Sequence, residues 1–165
     1  QRVDIALYFR RIDVVAAADD QVFAAAIDAF GNNTGWWSRL LGLSDVDERL
    51  NLKKEGIFPL VHGVRSLALA HHLIQTSTAE RIDALVALGK LPSDMGADLI
   101  DSLHFFMRLK LKAGLLEIDT HQAVTGDIDV PHLSSLDRDL LKDTLGVVKR
   151  FKALLHQRFH LDAVG

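Results

Sequence analysis

Residues 3–9 alternate, with Val3, Ile5, Leu7 and Phe9 on one side and Asp4, Ala6, Tyr8 and Arg10 on the other, a period of two that predicts a strand. The period then lengthens. Between Val14 and Phe30 the apolar positions Val15, Val22, Phe23, Ala26, Ile27 and Phe30 recur at helical spacing, and Gly31-Asn32-Asn33 reads as a C-terminal stop. Everything later in the chain reads as helix. The strand therefore lacks a partner and is predicted to end a preceding domain, residues 1–12, with a helical domain over 13–165.

Pro59 suits the first turn of a second helix, where its missing N–H is not needed, and that helix is predicted to run to about Ile74. Ser77 followed three residues later by Glu80 has the spacing of a capping box, and Gly89 closes the short third helix it opens. Pro92 and Ser93 start a fourth. There Ile100, Leu103, Met107, Leu111, Leu115 and Ile118 form an apolar stripe at steps of three and four, with Asp101, His104, Arg108 and Lys112 on another side. In the fifth helix Leu141, Leu145, Val148, Leu155 and Phe159 are predicted to be buried, and Arg138, Lys142, Lys149 and Lys152 exposed. The predicted fold class is all-α, an antiparallel up-and-down bundle of about five helices with a short orphan strand at its start.

Composition narrows the function classes. A chain of 165 residues, 48% hydrophobic and 25% charged, can bury the core of one domain. Its formal charge of -3 argues against nucleic acid or anionic membrane as the main partner. No run of about 18 apolar residues spans a bilayer, and no signal sequence opens the chain, which begins at Gln1. The absence of cysteine removes disulfides, thiolate metal ligands and cysteine nucleophiles, and fits a cytoplasmic location.

The candidate chemistry is cationic. His62, Arg65, Leu69 and His72 share one face of the second helix, and Lys53 and Lys54 lie just before its N-terminus, where free amides and the macrodipole favour a phosphate or carboxylate. The competing reading has His62 and Arg65 paired with acidic residues of other helices, as structural ion pairs commonly are. Trp36 and Trp37 are adjacent and cannot share one face of a regular element, so one ring is expected in a groove or at an interface. Asp45 with Asp47, and Asp127 with Asp129, are Asp-x-Asp pairs lacking a separate phosphate turn and strand, so neither predicts a two-metal catalytic centre. His156 and His160 have a zinc-compatible spacing but no third ligand, and no catalytic or metal-binding residue is assigned.

Four segments in order, "NLKKEGIFPLVHGVRSLALAHHL", "TSTAERIDAL", "FFMRLKL" and "IDVPHLSSLDRDLLKDTLGVVKRFKALLHQRF", together resemble the putative nucleotidyltransferase substrate-binding domain family. "GWWSRLLGL" is similar to that family's aromatic stretch, and "VDIALYFRRIDVV" to the final strand of the catalytic domain before it. At that strand the family tends to place an Asp-Phe-Arg-like sequence where this chain has Arg10-Arg11-Ile12. The resemblance implies a helical domain in a bacterial signalling protein, following a nucleotidyltransferase domain like the one that uridylylates the PII protein. Cyclic-nucleotide-binding and cystathionine-synthase-type domains often lie further upstream. It also implies substrate contacts at Lys54, His62, Arg65 and Arg108, with magnesium and a nucleoside triphosphate needed by the parent protein rather than by this chain. The partners it suggests are the upstream domain and a nucleotide or protein acceptor. A homodimer, or a docking module anchored by Trp36 and Trp37, is the alternative.

Overall fold

In the computed structural model the described residues are 49–159. The predicted strand 3–9, the predicted helix 14–30, and Trp36 and Trp37 lie outside them. Most of the described chain is helical, as the all-α assignment requires: α1 is Phe58–Ala70, α2 Thr78–Ala87, α3 Ser93–Asp119 and α4 Ser135–Phe159. Two short strands, β1 (Arg49–Leu50) and β2 (Ile128–Asp129), pair antiparallel with Arg49 opposite Asp129 and Leu50 opposite Ile128. This corrects the reading that everything after the first strand is helix. Two-residue strands are too short to show a period, so the second Asp-x-Asp pair does sit partly on a strand.

The helix ends follow local chemistry. Upstream of α1 a π-helical turn, Lys53–Ile57, runs into the helix, and the Phe58 amide donates to the Lys53 carbonyl five residues back. Pro59 cannot donate to the turn behind it, and the wider turn is where that mismatch is absorbed. The Asn51 side-chain oxygen accepts from the Lys54 amide at 2.9 Å, so Lys54 lies inside the helical path rather than ahead of it. α1 ends earlier than predicted. His71 follows it, and His72 takes a left-handed φ of 56°. The capping box at α2 is formed, with Ser77 Oγ accepting from the Glu80 amide at 3.2 Å and Glu80 accepting from the Ser77 amide at 3.3 Å. Gly89, at φ 63°, turns the chain after it. At α4 the Ser134 hydroxyl accepts from the Asp137 amide at 3.1 Å.

α1 packs on α2 and α4, α3 packs on the same two helices, and the π-helical turn ahead of α1 reaches both α3 and α4. Leu60, Val64 and Leu67 of α1, Ile82 and Leu85 of α2, Leu99 and Phe106 of α3, and Leu141, Leu145, Phe151 and Leu155 of α4 form the shared core. Each such side chain contributes about 1.5–3 kcal/mol when fully buried. Gly63 permits a close approach of α1 to α4, since a Cβ there would lie 2.6 Å from Leu155 Cδ1 and 2.7 Å from Phe151 Cε1.

Leu141, Leu145, Val148 and Leu155 are buried as predicted, while Phe159 is partly exposed. Of the four cations predicted to be exposed on that helix, Lys149 is; Arg138, Lys142 and Lys152 are half-buried. The predicted stripe on α3 is largely overturned. Met107, Leu111, Leu115 and Ile118 are 57%, 64%, 52% and 55% exposed, and the core is reached instead by Leu99, Ser102, Phe105, Phe106 and Leu109. This long helix carries two apolar faces, and spacing alone does not tell which one is inside.

Candidate functional site

The four cationic positions fall into separate groups. Lys54 is exposed in the π-helical turn beside Glu55, whose carboxyl is pushed up by burial and drawn back by Lys54 and Lys152. On α1, His62 stacks on Phe58 with centroids 4.0 Å apart. Burial, and then the neighbouring Arg65 guanidinium, hold its imidazole below the ordinary value, which favours the neutral ring. Arg65 itself is exposed. His72 has left the helix and no longer extends their face.

Arg108 belongs to different surroundings on α3. Its guanidinium lies 5.3 Å from the Phe105 ring centroid and 3.6 Å from Asp137 Oδ1, while Lys112 reaches Asp137 Oδ2 at 3.2 Å. Asp137, at the start of α4, is drawn below its ordinary value first by the Lys112 hydrogen bond. The structure thus brings His62 and Arg65 together on α1, and Arg108 with Lys112 around Asp137 on the α3 side.

Two cavities flank that Asp137 bridge. A groove of about 370 Å³ between α3 and α4 is lined by Asp98, Asp101, His104, Phe105, Arg108 and Asp143, among others, and Asp98 is tied to Arg150 at 2.9 Å. Carboxylates outnumber cations there. The second, of about 360 Å³, lies between α3 and the two-stranded ladder. Its floor is apolar, formed by Leu109, Ala113, Leu116, Ile128 and Leu133, and its rim carries Arg49, Lys112, Asp127, Asp129 and His132. An apolar floor with a few polar groups around it is the usual build of a small-molecule site.

Glu117 holds this second cavity in shape. It is only 6% exposed, near the end of α3, where it accepts from the Thr125 hydroxyl, from the Thr125 amide at 3.0 Å and from the Gly126 amide at 2.9 Å. Those donors, the Thr125 hydroxyl foremost, keep its carboxyl below the ordinary value of 4.5, and Arg49 adds a weaker pull from 3.8 Å. The loop after α3 is thereby drawn back so that β2 can meet β1. On the rim Asp129 Oδ1 sits 2.8 Å from His132 Nδ1.

The sequence pattern did not single out Arg49, Glu117, Asp137 or His132. Glu117 was legible in principle: it falls on the same helical face as Phe106, Leu109 and Ala113, where a carboxylate demands partners. Among the described residues no three His, Asp or Glu side chains form a group that could hold a metal ion. Nor does any helix among them have the length and apolarity to cross a membrane. A family model described as a putative nucleotidyltransferase substrate binding domain matches residues 21–159. No curated protein and no solved structure matches the chain.

Proposed function

The chain belongs to the family of putative nucleotidyltransferase substrate binding domains, and from that premise we propose that it is a noncatalytic module presenting an anionic substrate, or a nucleotide's phosphates, to a nucleotidyltransferase domain upstream in the same polypeptide. The family match over residues 21–159 is the observation that carries the reading. The setting proposed is a cytoplasmic bacterial signalling protein, and the architecture an up-and-down bundle of about five helices in which the predicted helix 14–30 joins the four described.

Within it, Lys54, His62, Arg65 and Arg108 are proposed as the anion contacts. Support comes from the closeness of Arg65 to His62 and from the exposure of Lys54 and Arg65. Because Arg108 shares Asp137 with Lys112, its contribution is the smallest of the four. The apolar-floored cavity beside the ladder is the place for an uncharged portion of the ligand. Magnesium and the nucleoside triphosphate act in the catalytic domain, where metal carboxylates are supplied.

Thermal melts with and without a nucleoside triphosphate test the proposal. Wild type should be stabilised by ligand, and Arg65→Glu should weaken binding by about 1–3 kcal/mol, the scale of a lost charge-assisted hydrogen bond, with a smaller effect on the unliganded melt. A large drop for Arg65→Glu with no ligand stabilisation in either protein would make these cations structural and end the reading.

A further inference from the structure

The outward side of α3 is apolar over most of its C-terminal half, and no described helix covers it. Leu111 lies two residues, about 200°, from buried Leu109, as does Met107 from buried Phe105 and Leu115 from buried Glu117. Ile118 continues the row, and Val124 of the following loop, itself 64% exposed, comes back against Gly114 beside it. Single exposed leucines are ordinary; a row spanning about 16 Å along one helix, with a loop valine added, is a patch of the kind that marks an interface.

The charges along its edge identify the occupant. Arg108, which stays 66% exposed although it leans on Asp137 at 3.6 Å, and the exposed Asp119 stand on the same flank of the row, one near each end. When two copies of one helix pack antiparallel about a two-fold axis, the same flank of each meets its counterpart with direction reversed. With the row centred on itself, Leu111 of one copy faces Leu115 of the other, and Arg108 faces Asp119, twice over. In a parallel pair opposite flanks meet, so the two copies of this flank would lie on opposite sides of the seam and neither charge would find its counterpart. We propose that the Met107–Ile118 face of α3 is a homodimer interface, packed antiparallel against the same face of a second copy and keyed by reciprocal Arg108–Asp119 pairs.

Analytical ultracentrifugation of the 165-residue chain should give a dimer at tens of micromolar. Leu111→Glu should give a monomer with an unchanged helical spectrum, since the side chain touches solvent rather than core, and a melt that has lost the concentration dependence of the dimer; Leu115→Lys is the independent repeat. Asp119→Arg should weaken the dimer about tenfold, because the symmetry counts each charge twice, and adding Arg108→Asp should restore it. The chain has no cysteine, so a Leu111→Cys, Leu115→Cys variant should link into covalent dimers under mild oxidation, while Ile74→Cys, at an 89% exposed site, should not. A chain that stays monomeric across that range overturns the proposal. So does a dimer that survives both Leu111→Glu and Leu115→Lys, which would place the interface elsewhere, Trp36 and Trp37 included.

Discussion

At the scale of single residues, Glu117 ties the loop at Thr125 and Gly126 back to the end of α3. A carboxylate on the inner side of a helix is costly unless its oxygens are satisfied, and here two amides and a hydroxyl from Thr125 and Gly126 satisfy them. Replacing it by glutamine keeps the shape but removes the charge and puts an NH₂ donor where an acceptor is needed. The Thr125 and Gly126 amides of Glu117→Gln should therefore exchange hydrogen much faster than in wild type, with core amides of α4 little changed. Equal loss of protection throughout would show that Glu117 stabilises the whole domain rather than its loop.

At the scale of elements, the contact between α1 and α4 is set by the absence of a side chain at Gly63. Gly63→Ala forces a methyl into Leu155 and Phe151, and overpacking of this kind costs about 1–3 kcal/mol. A methyl added at Gly146, in α4, would meet nothing within 4 Å, so Gly146→Ala should stabilise by about 0.5–1 kcal/mol through helix propensity alone. Denaturant melts of the pair should move in opposite directions, and a destabilised Gly146→Ala would contradict this account of α4 packing.

Elements also mark how far the sequence could be read. The capping box at Ser77, the stop at Gly89 and the buried positions of α4 follow from local rules, and they were legible. The inner face of α3 was not, because two apolar rows compete on one helix and only the packing of α2 and α4 decides between them. The ladder was invisible because its partners are some eighty residues apart and two residues long. Of the proposed anion contacts, the closeness of His62 to Arg65 was readable from their spacing of three; the capture of Arg108 by Asp137 was not, since it depends on how α4 begins.

For the molecule as a whole, several groups push its response to acid the same way. His62 and His71 are held below 6.5, in both cases chiefly by burial, so below that value the unfolded chain binds protons that the folded one refuses, and stability falls as pH falls. Glu117 and Asp137 are held below 4.5 and 3.8 by hydrogen bonds, so their contribution is complete above those values and is lost as pH drops through the lower folded ones. Glu55, raised by burial, opposes them. The melting temperature should therefore decline in two stages on acidification, the first beginning near 6.5 and the second within the carboxylate range. A flat profile between pH 7 and pH 5 (about the histidine window) would show that the imidazoles do not contribute.

Arg49 occupies two roles at once, as the first ladder residue and as part of the cavity rim. In mechanical terms the short antiparallel ladder is a clasp that opens one bond at a time when its upstream end is pulled. Tension arriving from the preceding residues would thus be delivered to the cavity wall at Ile128 and Asp129 before it reached any of the described helices. The ladder makes the apolar-floored cavity the first part of the described fold to sense a displacement of whatever lies upstream.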